Sequence, residues 1–515
     1  MNLKVLLAKL AERYGRKTAI VFHDRRVSFL ELEQTSNRVA HALIKLGVRK
    51  GDRVAMLLSN SPEFAAVYFG IVKTGGLAVL LDPKFKFMEL ASLLDDCQPK
   101  LLVTESPYLE PLAPFLSRLK SVKRVITLNS GGGADFLSYS DMIADSPDGP
   151  VAGVEIGPDD LAHIAYSSAP AYRPRGAMLV HQDIITSAEL SAEAVQQTEK
   201  DVEMLFALPL HHAFGLIIVF LGALARGSTV VMLPGVSIDE LTQVIEREKV
   251  TIFMGVPFVF ELMLRVVEQE ELKSDLSSLR LCLSAGSTLN TGTMERFQRV
   301  FGLGLAQFYG LTEGVSAVTY QSRGGADDKL TSVGKPLPGY VIKVVDDSGK
   351  ELAVNQVGEV IVRGPIMKGY YRNPNATAEV IKNGWLYTGD LGRIDKDGSL
   401  FLVGLKREMI ITKGQNIFPT DIEKVLRSHP QVAEAAVVGV PDELRGEVVR
   451  AVISLKHGVS LTDADIIRFC REYLADYKLP RQVIFVKSLP KTAAGKISKE
   501  ALRALLFHPN PVQSH

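Results

Sequence analysis

The chain has 515 residues, too many for a single hydrophobic core, so we expect two to four domains. Hydrophobic residues make up 46% of it and charged residues 23%, as in an ordinary globular protein, and the formal net charge is +1. This balance argues against a nucleic-acid partner or an anionic membrane surface. The cysteines, Cys97, Cys282 and Cys470, form no CxxC pair, which argues against a disulfide scaffold or a zinc site and fits a reducing cytosol.

The start of the chain, MNLKVLLAKLAERYGRK, places apolar residues at helical spacing between charges. It lacks the unbroken apolar core and the cleavage site of a signal peptide. The longest apolar run, Ala213 to Ala225, is shorter than the roughly 18 residues that a membrane span needs, so it predicts a buried helix. We therefore expect a soluble, cytoplasmic protein without an integral membrane segment.

Two blocks of the chain alternate apolar β-rich runs with helical patterns. RVAMLLSN, LAVLLDP and KLLVTES predict strands in the first block. From about residue 160 to 310, DLAHIAY, EMLFALPL, STVVML, VTIFMGV and LRLCLSAG predict strands, and amphipathic stretches at Ile238 to Lys249 and Pro257 to Glu268 predict helices. This alternation predicts βαβ units and a largely parallel sheet covered by helices.

The pattern changes after residue 331. YVIKVVDDSGKEL, GEVIVRG and GSLFLVG are short strand patterns separated by Gly/Asp turns, which predicts a small β-rich subdomain at about 331–403. A compact α+β pattern follows, with helices near Pro419 to Arg427 and Asp463 to Leu474 and strands at EAAVVGV and VVRAVISL. We predict an α/β protein with a large N-terminal domain of doubly wound α/β subdomains plus the β-rich subdomain, residues 1–403, and a small mobile α+β C-terminal domain, residues 404–515.

The segment YSSAPAYRPRGAML, residues 166–179, is similar in composition to a phosphate-binding loop that has lost its glycines. A phosphate cradle needs glycines because backbone N–H groups must approach the anion closely, often at positive φ. Gly176 is the one glycine here, Pro170 removes an amide donor, and Tyr172 introduces a bulky ring. Two serines and two arginines keep donors and charge, so the residues alone leave open whether this is a phosphate site or a solvated loop.

Seven further segments follow in order: LPLHHAFGL (208–216), SAGSTLN (284–290), QFYGLTEG (307–314), GWLYTGDLGRIDKDG (384–398), KGQNIFPTDIE (413–423), VPDELRGEVVRA (440–451) and PKTAAGKISKEAL (490–502). The ordered set resembles the adenylate-forming superfamily of acyl-CoA synthetases, nonribosomal peptide adenylation domains and luciferases. The resemblance covers nearly the whole chain. It implies an AMP-forming acyl-CoA synthetase of the fatty-acid–CoA ligase type.

The resemblance implies a nucleotide site. Tyr309 offers a flat face on which adenine stacks in the family, and Glu313 offers a hard oxygen ligand for the Mg²⁺ bound to ATP. Asp390 can accept two hydrogen bonds from a ribose diol, which is the role of the matching family residue. The implied nucleotide-binding residues are Ser167, Ser168, Arg175, Ala285, Gly286, Ser287, Tyr309, Gly310, Thr312, Asp390 and Lys406, with Glu313 as the metal ligand.

The resemblance also implies catalytic and acyl-binding residues. Lys496 lies in the glycine-flanked segment AGKIS, where an ammonium can meet the carboxylate and the α-phosphate as negative charge builds. His212 matches the family histidine near the substrate carboxylate. Paired histidines suggest a metal, but no acidic or cysteine partner lies at ligand spacing, so we expect His211 to be structural. The implied catalytic residues are Lys496, His212 and Glu313; the acyl-binding residues are His212, Phe214, Gly215, Val256, Gly310 and Val315; the CoA and hinge residues are Arg407, Lys413 and Gly414.

The chain departs from the family in two places. The family loop is approximately YTSGTTGxPKG, and here residues 169–172, Ala-Pro-Ala-Tyr, replace Gly-Thr-Thr-Gly. Losing two or three hydrogen bonds to a charged phosphate, at about 1.5–3 kcal/mol each, would slow adenylation. In GLKRE, Leu405 cannot hydrogen-bond ribose where the family usually has Gly-Arg; Lys406 or Arg407 could substitute, and Arg407 occupies the usual hinge position.

Three interpretations follow for the function. The first is an AMP-forming ligase in which a fatty or aryl acid attacks ATP and the acyl-AMP then passes to a thiol, with ATP use weakened by the loop. The second is an acyl-transferring enzyme that starts from preformed acyl-AMP or acyl-CoA, and the third is a binding protein without catalysis. We expect the ligase, because Lys496 serves only adenylation.

The expected small molecules are ATP/AMP, Mg²⁺, coenzyme A and a small carboxylic acid. A carrier-protein thiol is the alternative to CoA. The mostly small, apolar residues of the implied pocket favour an aliphatic or aryl acid over an amino acid. Monomer and homodimer both stay open.

Overall fold

The structure is a computed structural model that describes residues 1–128, 136–166, 174–233, 237–269, 274–287, 289–322, 329–405, 409–456, 458–490, 497 and 499–507. Its α-helices are α1 (Leu3–Tyr14), α2 (Phe29–Lys45), α3 (Pro62–Lys73), α4 (Phe87–Cys97), α5 (Ser106–Leu109), α6 (Tyr139–Ala144), α7 (His181–Ala194), α8 (Gly222–Ala225), α9 (Ile238–Glu248), α10 (Pro257–Gln269), α11 (Thr291–Phe301), α12 (Pro374–Val380), α13 (Pro419–Ser428), α14 (Asp463–Tyr473) and α15 (Lys499–Phe507). Short 3₁₀ turns cover Ala113–Arg118, Thr312–Gly314 and Asp476–Lys478, and a π-helix covers Phe214–Leu221.

The strands are β1 (Thr18–Phe22), β2 (Arg25–Ser28), β3 (Arg53–Leu57), β4 (Leu77–Leu80), β5 (Leu101–Thr104), β6 (Arg124–Thr127), β7 (Phe136–Ser138), β8 (Leu161–Tyr166), β9 (Gly176–Val180), β10 (Val202–Phe206), β11 (Thr229–Leu233), β12 (Ile252–Gly255), β13 (Leu281–Ser284), β14 (Leu305–Leu311), β15 (Ser316–Gln321), β16 (Lys335–Pro336), β17 (Val341–Val345), β18 (Gly358–Arg363), β19 (Ile381–Lys382), β20 (Trp385–Ile394), β21 (Leu400–Leu405), β22 (Ile410–Thr412), β23 (Gln415–Ile417), β24 (Val432–Asp442), β25 (Gly446–Leu455) and β26 (Gln482–Phe485).

Within the described residues, these strands form four sheets. A nine-stranded sheet has the order β16-β15-β14-β13-β12-β10-β11-β1-β2, and a seven-stranded sheet has the order β7-β6-β5-β3-β4-β8-β9. Pairings from β1 through β11, β10, β12 and β13 to β14 are parallel, whereas β2, β15 and β16 pair antiparallel at the edges. The remaining sheets have five strands each: β17, β18, β20, β19 and β21 in one, and β23, β22, β25, β24 and β26 in the other.

Alternating residues of the nine-stranded sheet face two different hydrophobic cores. On β12, Ile252 and Met254 belong to one core and Phe253 to the other, because successive side chains of a strand point to opposite faces. The first core also receives α2, α3, α7 and the π-helix, and the second receives α9, α10 and α11. Helices therefore cover both faces of a mostly parallel sheet, which confirms the predicted α/β fold class and the buried helix over the apolar run.

The chain divides into two compact units. The first unit contains three stretches of chain: Met1–Pro83, Leu94–Ser167 and Arg175–Lys406. The second combines Lys84–Leu93 with the chain that follows Arg407. In the second unit, α13 and α14 pack on one face of the β22–β26 sheet, and Leu502 of α15 packs on the other. Among the described residues, no helix combines the length and the apolar character that crossing a membrane requires.

A buried ion cluster lies in the second unit. The Nζ of Lys478 is 2.5 Å from Oε1 of Glu89 and 3.1 Å from Oδ2 of Asp421, and the three side chains are 6%, 4% and 5% exposed. Glu89 also accepts a hydrogen bond from the backbone N–H of Ala475. Burial lowers the pKa of Lys478, but the charges of Glu89 and Asp421 outweigh burial, and the net effect is a raised pKa. The lysine therefore stays charged and neutralises carboxylates that would be costly to bury alone.

Lys478→Met should destabilise the protein strongly, because it leaves two buried carboxylates without their cation. We expect a loss of about 3–5 kcal/mol, the usual cost of breaking a buried ion pair. The measurement is thermal unfolding combined with limited proteolysis. The matched control is Arg468→Met, which removes an ion pair to Asp465 from a side chain that is 74% exposed. Equal unfolding temperatures for the two variants would contradict this account.

Candidate active site

The predicted site residues that the structure describes in the first unit lie largely at one edge of the nine-stranded sheet. His212 lies in the loop that follows β10, Val256 directly follows β12, and Ala285 directly follows β13. Tyr309 lies near the end of β14, and the next turn carries Glu313. Loops at the carboxyl ends of parallel strands form the usual ligand-binding crevice of open α/β sheets. The fold thus brings together residues that lie about a hundred positions apart in the chain.

Tyr309 and Asp390 form a direct hydrogen bond. The Tyr309 hydroxyl donates to Oδ2 of Asp390 at 2.5 Å, and the tyrosine is 8% exposed. Burial, together with the charge of Asp390, raises the pKa of Tyr309 well above its usual value, so the phenol stays protonated. Asp390 is also fixed by its own backbone, since its N–H donates to Oγ1 of Thr388 at 3.0 Å. Sequence reasoning assigned both residues to a nucleotide site and missed their contact.

Gly310 lies where the backbone of β14 passes close to that of β15. A Cβ at Gly310 would lie 1.5 Å from the carbonyl oxygen of Ser316, so no side chain fits there. The chain then turns sharply, and Val315 and Ser316 have φ of +55° and +85°. A β-branched residue with positive φ is strained, and such strain concentrates at functional sites. The buried hydroxyl of Ser187 donates to the Val315 carbonyl at 2.6 Å and supports this turn.

Glu313 is held by a tyrosine that the sequence did not single out. The Tyr370 hydroxyl donates to Oε1 of Glu313 at 2.7 Å, and Tyr370 is 3% exposed. The backbone carbonyl of Glu313 accepts from Met367 at 2.8 Å. Both contacts come from one segment, so that segment fixes the carboxylate and the main chain of Glu313 together. A phenol in the pattern MKGYYR gives no signal of this role, since tyrosines are common in buried positions.

The same segment contacts the end of the predicted phosphate loop. The guanidinium of Arg175 lies 5.4 Å from the centre of the Tyr370 ring and pairs with Glu379 at 3.1 Å. The backbone N–H of Tyr371 donates to the carbonyl of Gly176 at 2.7 Å. A cation over an aromatic face is a favourable contact. The strand that leaves the loop and the carboxylate of Glu313 are therefore joined through Tyr370.

The paired histidines lie in a loop that is tied to the other large sheet. Asn60, soon after β3, donates to the carbonyl of Leu208 at 2.7 Å and accepts from the N–H of Leu210 at 2.8 Å. The Nε2 of His211 lies 3.5 Å from Oδ1 of Asp82, which follows β4. Sequence spacing offered no acidic partner for the histidines, and the fold supplies one from a distant strand.

The predicted acyl-binding residues Phe214 and Gly215 and the predicted nucleotide-binding residues Ala285 and Gly286 differ in how closely neighbouring atoms surround them. Phe214 and Gly215 begin the π-helix, a conformation that often marks functional sites. A Cβ at Gly215 would lie 2.4 Å from the Pro209 carbonyl, so this glycine is required by packing. Gly286 has φ of +85°, and a Cβ there would lie 3.6 Å from Val256, an ordinary contact distance. Ala285 is 7% exposed and donates its N–H to the Gly255 carbonyl at 3.0 Å.

Several predicted residues are not among those that the structure describes. Ser167, Ser168, Lys406, Arg407 and Lys496 lie outside the described residues. In the second unit, Lys413 and Gly414 form the turn of the β22–β23 hairpin, with φ of +51° and +76°. Burial is the largest cause that lowers the pKa of Lys413; the charges of Arg445, Arg481 and Lys84 lower it further, and the charge of Asp442 opposes them. Three cations and one carboxylate around a lysine leave a net positive charge, which suits an anionic ligand.

Two family models match successive parts of the chain. The model of the AMP-binding enzyme family matches residues 7–371, and that of the AMP-binding enzyme C-terminal domain matches residues 421–496. A long-chain-fatty-acid–CoA ligase of Bacillus subtilis (strain 168) is 31% identical, covering 97% of this chain and 94% of the relative. An indoleacetate–CoA ligase of Aromatoleum aromaticum is 35% identical and covers 95% of each chain.

A solved structure gives the same result for the fold. The amide bond synthetase McbA from Marinactinospora thermotolerans has a TM-score of 0.88 and 30% identity, covering 98% of this chain and 99% of that chain. The family models match most of the chain, and the two relatives are 31% and 35% identical to it over nearly their whole length. The chain therefore belongs to the AMP-binding enzyme family and is of its AMP-forming acyl-CoA synthetase type.

Proposed function

We propose that the protein couples an aliphatic or aryl carboxylic acid to coenzyme A through an acyl-adenylate, and that its altered phosphate loop weakens ATP use. The observation that carries this proposal is the Tyr309–Asp390 pair beside Glu313 at the carboxyl edge of the sheet. An aromatic face, a carboxylate for a ribose diol and a carboxylate for a hard cation are the groups that a magnesium-bound nucleotide needs.

The proposed reaction has two steps. A carboxylate oxygen of the acid attacks the α-phosphorus of ATP, the bond to pyrophosphate breaks, and acyl-AMP forms. The CoA thiol then loses its proton to solvent, its sulfur attacks the acyl carbonyl carbon to form the C–S bond, and AMP leaves with the electrons of the broken C–O bond. No side chain becomes covalently attached, so positioning and charge stabilisation supply the catalysis.

Each residue has a proposed role in these steps. Tyr309 stacks on adenine and is held by Asp390, which accepts from the ribose; His212 orients the acid, and Lys496 stabilises charge at the α-phosphate. Glu313 bonds Tyr370 through one oxygen, and its remaining lone pairs suit a hard cation. When Mg²⁺ is bound there with ATP, it supplies neutralising charge to the phosphates.

The choice of acid rests on the predicted acyl-binding pocket, whose residues are mostly small and apolar: Phe214, Gly215, Val256, Gly310 and Val315. A ligase for long-chain fatty acids and one for indoleacetate are both similar to this chain, which supports the aliphatic-or-aryl range. The cluster of positive charge around Lys413 supports an anionic thiol such as CoA.

Amide formation is the second candidate. The similarity to an amide bond synthetase favours it, because the same acyl-adenylate can react with an amine nitrogen in place of a thiol sulfur. The first step is shared, so the two candidates differ only in the acceptor.

The test is pyrophosphate release with ATP, Mg²⁺ and a panel of fatty and aryl acids, with CoA, with an amine or with neither. We expect acid-dependent release that Lys496→Ala lowers about 100-fold or more, the usual effect of removing one charge-stabilising group. Lys487→Ala, on an exposed lysine of the second unit, is the control and should leave the rate unchanged. If none of the acids in the panel causes pyrophosphate release, adenylation is contradicted. Formation of a thioester from synthetic acyl-AMP and CoA would then show that the second step survives.

Restoring the loop should improve ATP use. The combined substitutions Ala169→Gly, Pro170→Thr, Ala171→Thr and Tyr172→Gly return backbone and hydroxyl donors to the β- and γ-phosphates. Hydrogen bonds to a charged group contribute about 1.5–3 kcal/mol each, so kcat/KM for ATP should rise at least about tenfold. The rate from acyl-AMP and CoA should not change, because those phosphates are absent. An unchanged kcat/KM for ATP would refute this explanation of the loop.

Tyr370→Phe should raise the magnesium requirement. The variant removes the hydrogen bond that orients Glu313, so half-saturating Mg²⁺ should increase roughly tenfold while kcat at saturating Mg²⁺ is largely kept. Tyr340→Phe is the matched control, because Tyr340 is also buried and donates to the neighbouring Gly314 carbonyl at 3.0 Å. If both variants shift the Mg²⁺ dependence equally, Tyr370 has no specific role in orienting Glu313.

A further inference from the structure

A group of three metal-ligating side chains lies where the two large sheets approach each other. Asp82 follows β4 of the seven-stranded sheet, and His211 and His212 follow β10 of the nine-stranded sheet. The candidate ligand atoms of the three side chains all lie within 4.8 Å of one another. Among the described residues, Asp82, His211 and His212 form the one group of at least three histidine, cysteine or acidic side chains whose ligand atoms lie this close together.

The geometry between His211 and Asp82 matches metal coordination better than a hydrogen bond. The Nε2 of His211 lies 3.5 Å from Oδ1 of Asp82, and it makes no hydrogen bond to any residue that the structure describes. Both side chains are buried, at 7% and 4% exposure. A buried polar nitrogen left without a hydrogen bond costs about 1–3 kcal/mol. Two ligands at about 2.0–2.1 Å from a tetrahedral zinc ion lie roughly 3.3–3.4 Å apart, close to the observed spacing.

The third ligand requires little rearrangement. The rings of His211 and His212 have centroids 4.5 Å apart and planes inclined by 55°. His212 is exposed, so its ring can turn toward a common centre by rotation about its side-chain bonds. Two imidazoles and one carboxylate are the ligands of many open zinc sites, in which the fourth position holds water or substrate.

We propose that Asp82, His211 and His212 bind a divalent transition-metal ion of the Zn²⁺ class. Imidazole nitrogens select such ions over Mg²⁺, which prefers oxygen, so this site is distinct from the one proposed at Glu313. The carboxylate of Asp82 contributes the negative charge that two neutral imidazoles lack.

A Zn²⁺ ion bound at this site inhibits the enzyme, because it takes the imidazole lone pair of His212, the residue proposed to orient the acid. This consequence rests on the proposed role of His212, whereas metal binding itself does not. Zn²⁺ should therefore raise KM for the acid and leave the binding of ATP less affected.

The experiment measures Zn²⁺ affinity by competition with a chromogenic chelator, using the full chain without a histidine tag and without nucleotide, because ATP itself binds zinc. Co²⁺ serves as a spectroscopic probe of the coordination geometry. Asp82→Asn is nearly isosteric and His211→Gln keeps a polar side chain, so at least one of them should fold; circular dichroism checks this. His23→Asn, on an exposed histidine with φ of +53°, is the control, since asparagine tolerates positive φ.

We expect Asp82→Asn and His211→Gln each to weaken Zn²⁺ binding roughly tenfold or more and to abolish the Co²⁺ absorption band, while His23→Asn binds like the wild type. Equal affinity in all four proteins would overturn the proposal. Zinc binding is measured without catalysis, so the two proposals can fail separately. If the protein shows no acid-dependent turnover, the proposed function is refuted. If zinc binding still depends on Asp82 in that protein, the zinc site is supported.

Discussion

Because the central strands of the nine-stranded sheet run parallel, every chain segment that leaves them starts from the same edge. Backbone hydrogen bonds fix this register, and the two cores hold the sheet from both faces. The loops are therefore anchored by elements that contribute no chemistry of their own. His212, Val256, Ala285 and Tyr309 meet at the edge because of this anchoring, although they are far apart in the chain.

The edge is not built by one sheet alone. The single amide group of Asn60 binds the main chain on both sides of Pro209, so a residue that follows strand β3 of the seven-stranded sheet sets the path of the loop that carries the histidines. Asp82 reaches the same loop from the next strand. A second support comes from the segment around Tyr370, which holds Glu313 and the strand beyond the phosphate loop. These hydrogen bonds and ion contacts between distant segments favour one arrangement of the edge, and the buried Asp82 and Tyr370 would be costly to leave unpaired.

The sequence predicted the fold class. Apolar β-rich runs that alternate with helical patterns predicted the parallel strands, and the ordered motifs predicted roles for Tyr309, Glu313 and Asp390 that stay predictions. The contacts among side chains were not predictable, because they depend on pairings between strands that are distant in the chain. Asp82 illustrates this: it was visible as a carboxylate after an apolar run, but no local pattern related it to His211. Tyr370 gave no signal, since its role depends on where Glu313 lies after folding. The roles of all the site residues stay predictions, as does the domain boundary near residue 404; Lys496, Ser167 and Ser168 also lie outside the described residues.

The second unit is not a continuous piece of chain, since Lys84–Leu93 belongs to it. The cation of Lys478 is neutralised in part by Glu89, which lies in that distant segment. A chimera joined at a single point after Lys406 would take the residues from 407 onward from one parent and residue 89 from the other. Where the two parents differ at position 89, exchange of this region should therefore succeed more often when residues 84–93 are exchanged with it.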